Sequence, residues 1–231
     1  MAQQITKVRQ PDGTVLHLAD WTSSDPLYST VEVAAGAFTV LQAFSYGLGG
    51  AVPGSATARN SDKLDTNLRG QGGKLPEDEA LMLHGLAIEA FTVGAQDGGV
   101  GYFPVDDPHV SAANMVRLQR DVIVTLRISA VKEYTRHPLS WFPAGSGVTE
   151  VNSLGVSDSA AAGGFVVANN GGDTPDDQRN FASPLLVQGG DPFTVDFTAG
   201  PGQVVGLGFQ DDAGRIALRV TCNGPRKRPI A

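Results

Sequence analysis

The sequence predicts an all-β, antiparallel sandwich or barrel, and three observations carry that prediction. The first is strict alternation near the C-terminus. Phe193, Val195 and Phe197 alternate with Thr194 and Asp196, and Val205, Leu207 and Phe209 alternate with Gly206 and Gly208. Ile216, Leu218, Val220 and Cys222 then share one face, with Arg215, Ala217, Arg219 and Thr221 on the other. A period of two, with an Asp211–Gly214 turn between runs, is the pattern of half-buried strands. The second is punctuation: 29 glycines and 14 prolines cluster between apolar runs, as many short strands joined by turns require. The third is that helical periodicity is confined to a single candidate, capped at Asp107-Pro108 and running to about Gln119.

The elements follow in order. Ile5–Gln10 and Thr14–Ala19 flank Pro11-Asp12-Gly13, which predicts a hairpin: proline presets φ and glycine supplies a positive φ. Tyr28–Val33 and Ala37–Phe44 are strand candidates broken at Gly36. Gly-rich stretches then enclose the polar run Ser55–Arg69, so residues 47–74 read as a surface excursion ordered by a partner. Leu81–Val93 is a long strand with a slip near Gly85, where a bulge is expected. Asp121–Tyr134 reads as the longest strand, with Val122, Val124, Leu126, Ile128 and Ala130 on one face. Pro143–Asn180 is a second Gly/Ala/Ser-rich excursion, with a short strand at Phe165-Val166-Val167.

Composition bounds the rest. The 231 residues, 41% hydrophobic, suit one domain over 1–231, with an N-terminal hairpin (about 1–20) and a basic tail (about 223–231). A net charge of −7 and 7% aromatics argue against a general nucleic-acid binder. The dense basic cluster is Arg226-Lys227-Arg228. Pro225 and Pro229 bracket it, which predicts a short, stiff, exposed tail able to dock on an acidic neighbour, packaged nucleic acid or anionic lipid. Removing these charges is then expected to impair assembly and to leave monomer stability intact. The single cysteine, Cys222, falls on an apolar strand face and reads as a buried thiol. The N-terminus lacks the apolar core of a signal peptide and no apolar run reaches bilayer length, so a cytoplasmic site of synthesis is expected.

Motifs for chemistry fail on spacing. Gly72-Gly73-Lys74 is followed by Leu75 and has Leu68 where a phosphate loop needs glycine. Gly145-Ser146-Gly147 lacks the outer glycine pattern of a nucleophile elbow. His17, His84, His109 and His137 form no ligand pair, and Asp106-Asp107 and Asp173–Asp177 match no calcium loop. Catalytic, cofactor and metal residues are therefore all assigned as none, and the chain reads as a non-enzyme.

A resemblance adds to this. Gly73-Lys74-Leu75-Pro76 before Leu81–Phe91, Val122–Tyr134 before His137-Pro138-Leu139-Ser140-Trp141-Phe142-Pro143-Ala144-Gly145, and Phe181–Leu186, Asp191–Val195 and Ile216–Arg226 resemble the strands and corners of vertical jelly-roll capsid proteins of icosahedral, membrane-containing and related bacteriophages. The similarity spans roughly residues 64–230 and rests on strand-and-turn patterns. The strand candidates fall well short of the roughly sixteen that two jelly rolls would need, which favours one eight-stranded jelly roll with elaborations and leaves a small double barrel as the alternative.

The expectation that follows is a structural virion protein, a capsid subunit that self-assembles into a bacteriophage shell within the host cytoplasm. Its partners would be copies of itself, other virion proteins, and the genome or an internal membrane through Arg226, Lys227 and Arg228, with no small-molecule substrate. The alternative is a glycan- or receptor-binding β-sandwich, in which Trp21, Trp141, Tyr28 and Tyr46 form a sugar platform. A jelly-roll enzyme is the third reading, separable by a metal assay.

Overall fold

Alternation of apolar and polar residues buries one face of a strand, and two such faces must meet. The computed structural model describes residues 7–9, 15–17, 21–22, 25–33, 40–55, 59–96, 99–101, 118–129, 132–142, 150–151, 166–167, 179–199 and 215–228. Within them the chain forms β1 (Lys7–Arg9), β2 (Val15–His17), β3 (Trp21–Thr22), β4 (Leu27–Val33) and β5 (Val40–Ala43). There follow β6 (Ala80–Gln96), β7 (Gly99–Gly101), β8 (Val122–Ile128) and β9 (Lys132–Pro138), then a 3-10 turn at Leu139–Trp141. The rest are β10 (Glu150–Val151), β11 (Val166–Val167), β12 (Arg179–Gln188), β13 (Phe193–Ala199), β14 (Arg215–Asn223) and β15 (Arg226–Lys227).

The expected all-β class is what the chain adopts: two principal antiparallel sheets face each other, with helix limited, among the described residues, to residues 118–121 and the 3-10 turn. One sheet contains β4, β14, β6 and β12 side by side, with β15 continuing β14 between β6 and β3. The other runs β5-β13-β8-β9. The pairing is nested: β4 with β14, β5 with β13, β6 with β12 and β8 with β9, as in one long folded hairpin. The pairs β14·β6 and β13·β8 then close each sheet.

Register places the core. Leu27, Cys222 and Leu86 stand abreast, as do Val31, Leu218 and Ala90, and all are buried. Opposite them, Leu41, Phe197 and Val124 align, next to Ala43, Val195 and Leu126. Phe44 and Phe193 add an aromatic pair with centroids 4.9 Å apart. The N-terminal hairpin pairs as expected, Val8 opposite Leu16, and Val166–Val167 forms a strand against Glu150–Val151.

Three expectations change. Asp121–Tyr134 is not one strand: β8 ends at Ile128 and reverses into β9, with Ser129 at φ 64 and its N–H donating to the Pro192 carbonyl. Serine rarely signals a positive φ, so the reversal left no mark in the sequence. The irregularity near Gly85 is real, but the surplus residues lie on β12, where Asn180 faces Gly85 and Leu185 faces Leu83. Val205–Phe209, the Asp211–Gly214 turn, and most of the Asp107–Gln119 helix and of the second excursion lie outside the described residues.

The largest change concerns residues 47–74. Expected to await a partner, the excursion is held by this chain. Along the free edge of β4, the N–H groups of Tyr28, Thr30 and Glu32 donate to Asn67 Oδ1, the Tyr46 hydroxyl and the Pro53 carbonyl. The Asn67 N–H and the Thr66 hydroxyl donate back to the Tyr28 carbonyl. A bare strand edge templates further pairing, and here its polar groups are taken up internally. Val52 and Leu68 of the excursion are buried, which offsets the ordering entropy that the polar composition left unexplained. At Gly54, φ is +76 and a Cβ would stand 1.8 Å from the Glu32 carbonyl, so the close approach to β4 requires glycine.

Candidate functional site

Arg226, Lys227 and Arg228 do not form a loose tail. Asn223-Gly224-Pro225 shifts the register, and β15 resumes between β6 and β3, Arg226 facing Leu81 and Thr22. The shift needs Gly224, at φ +149, since a Cβ there would lie 1.8 Å from the Met82 carbonyl. Arg226 is fully buried. Its Nε donates to Glu79 Oε2 at 2.9 Å, and Nη2 donates to the same oxygen. Burial lowers the Arg226 pKa, and the Glu79 carboxylate opposes that shift. Arg228 lies 2.8 Å from Asp25. Lys227 is left exposed. The basic cluster is thus largely a clamp tying the chain end to the start of β6, because burying a cation demands a local carboxylate.

A second charged group was not legible in the sequence. Arg59 of the excursion donates Nε to Glu32 Oε1 at 2.8 Å, and Nη1 and Nη2 to the two oxygens of Asp65 at 2.7 Å each. Glu32 and Asp65 are fully buried. The fork-to-carboxylate geometry raises the Arg59 pKa, chiefly through Asp65. Beside it, Tyr46 is pushed up to about 12, first by burial, while its hydroxyl donates to the Thr30 carbonyl. Arg219 completes this outer layer, with Nη2 donating to the Leu64 carbonyl at 2.9 Å and its guanidinium over the Tyr28 ring. The network locks the excursion onto β4 and β14.

The third feature is the open side, where the strands β9 and β12 each have one sheet neighbour among the described residues. The 3-10 turn after β9 buries Leu139 and Phe142 and turns Trp141 outward, 45% exposed. His137 stacks on the indole at 5.1 Å and 28°, and the exposed Arg179 places its guanidinium 4.3 Å from the ring centroid. An aromatic plane with a cation resting on it keeps the guanidinium N–H edges available for a carboxylate or phosphate. Trp21 is half-buried on β3, Tyr46 is buried and Tyr28 carries Arg219, so Trp141 alone of the four aromatics presents a broad exposed surface.

The remaining candidates fall into structural roles. Gly72-Gly73-Lys74 bridges the end of β5 and the start of β13: the Gly73 N–H donates to the Phe44 carbonyl, and the Phe193 N–H donates to the Gly73 carbonyl. Cys222 is buried, and burial raises its pKa, which suppresses the thiolate. Among the described residues no three His, Cys, Asp or Glu side chains are grouped to hold a metal. Among them, no helix is long and apolar enough to cross a membrane. Compared with known proteins, the chain matches no family model, no curated protein and no solved structure.

Proposed function

We propose that this chain is a jelly-roll shell subunit, a structural protein that assembles with copies of itself into the capsid of a bacteriophage. The observation that carries the reading is strand order. Numbering β4, β5, β6, β8, β9, β12, β13 and β14 from one to eight, one sheet runs 1-8-3-6 and the other 2-7-4-5. That is the order produced by rolling up a four-deep folded hairpin, which is how a jelly roll is built, and capsid domains are prominent users of it. Two further features suit a shell. The free edge of β4 is capped internally, so pairing between copies is confined to chosen surfaces. The chain end is clamped by Arg226, so it adds rigidity. Lys227 remains as the exposed part of the basic cluster able to meet another virion protein, the genome or a lipid surface, since Arg228 is paired with Asp25.

Sedimentation and negative-stain microscopy of the purified full chain over a concentration series test the reading. Closed or ring-like assemblies are expected, and a chain monomeric at every concentration overturns it. A second reading, a glycan- or receptor-binding sandwich, is favoured by the exposed Trp141 alone. Glycan-array binding lost in Trp141→Ala, from a protein that stays monomeric, would select it.

A further inference from the structure

Arg59, Arg120, Arg127, Arg219, Arg226 and Arg228 each sit on a carboxylate. Arg136 and Arg179 have no carboxylate partner among the described residues, and both lie on the open side, on β9 and β12. Arg179 is preorganised by its stacking on Trp141, with His137 completing the cluster. Lys63, Arg69, Lys74 and Lys227 also lack a carboxylate partner among the described residues, so what sets Arg179 apart is its seat on the indole at the open edge. The turn before β6 offers an acidic surface complementary to it. Glu77 and Asp78 are exposed there, and no cation pairs with them among the described residues.

The two patches cannot satisfy each other within one copy. Arg179 is level with Leu86 and Gln188 with Ala80, and Glu77 lies beyond Ala80, against Gly189. The six residues of β6 between those levels span roughly 20 Å. Cation and acid therefore sit at opposite ends of the same edge, pointing the same chain in two directions.

We infer that Arg179, seated on Trp141, receives the Glu77-Asp78 turn of a second copy, a head-to-tail contact that repeats from copy to copy. The inference rests on the shell reading and names the surface that builds it. A contact joining two different patches generates rings or extended arrays, unlike a self-complementary one, which stops at a dimer. The guanidinium supplies a two-pronged donor for a carboxylate, and the indole rim excludes water from it.

Sedimentation velocity on the full chain tests it with three variants: Arg179→Glu, the pair Glu77→Lys with Asp78→Lys, and all three changes combined. Thermal melts check that each remains folded, as exposed positions should. Each charge reversal is expected to weaken self-association roughly tenfold or more, and the combined variant to regain it. Mixing the first two variants offers two attractive contacts, the native one and its charge-reversed counterpart, so they should co-assemble in alternation although neither associates alone. If Arg179→Glu assembles as the unaltered chain does, or the folded combined variant fails to recover, the contact is wrong while the shell reading stands. An unaltered chain that never associates overturns both.

Discussion

Removing Arg226 should be one of the most damaging single side-chain changes near the C-terminus. Its side chain has 0% exposure and that of Glu79 has 2%. Arg226→Met therefore leaves a carboxylate desolvated without its cation, which costs about 3–5 kcal/mol for a buried pair. Glu79→Gln strands the guanidinium and should cost a similar amount. Replacing both, Arg226→Met with Glu79→Leu, removes the stranded charge, and stability should return to within about 1 kcal/mol of the unaltered chain. Urea unfolding followed by tryptophan fluorescence reads this directly. With a slope of about 3 kcal/mol per molar, each single variant should lower the midpoint by roughly 1–1.7 M. The sequence alone led to the opposite expectation, that these charges matter for assembly and not for stability. A single-variant cost below about 1 kcal/mol, the value of an exposed ion pair, would refute the buried-clamp argument.

Arg59→Met should cost roughly 3 kcal/mol by stranding Glu32 and Asp65, and it should raise amide exchange selectively over residues 47–74 while β13 and β8 stay protected. Uniform exchange throughout the chain would mean that the excursion is not a separate latch. Tyr46 sets an alkaline limit. Its folded pKa of about 12 stands above the unfolded value near 10, so the neutral form is favoured in the folded state. The resulting stability, roughly 3 kcal/mol, is fully present below pH 10 and is lost as pH rises towards 12. Tyr46→Phe should flatten that part of the stability profile, and an unchanged alkaline slope would count against the assignment.

Strands that bury one face announced themselves locally. Ile216, Leu218, Val220 and Cys222 are all buried, as the alternation required, and Phe193, Val195 and Phe197 likewise. A two-residue period is a property of neighbouring residues, so no knowledge of the fold is needed to see it. The all-β class, the antiparallel arrangement, the N-terminal hairpin and the buried thiol were legible for that reason. β9 was not, because its residues are mostly exposed and carry no alternation, and its reversal from β8 turns on a serine. The charged groups were least legible of all. Arg226 finds Glu79 147 positions away, and Arg59 lies 27 from Glu32. A basic run reads as solvated until a partner carboxylate is brought beside it, and a polar, glycine-rich run reads as loose until a strand edge needs its donors and acceptors. Strand identity is thus set by nearest neighbours along the chain. Whether a charge is buried, an edge capped or an indole left exposed is decided by which strands the tertiary fold sets side by side.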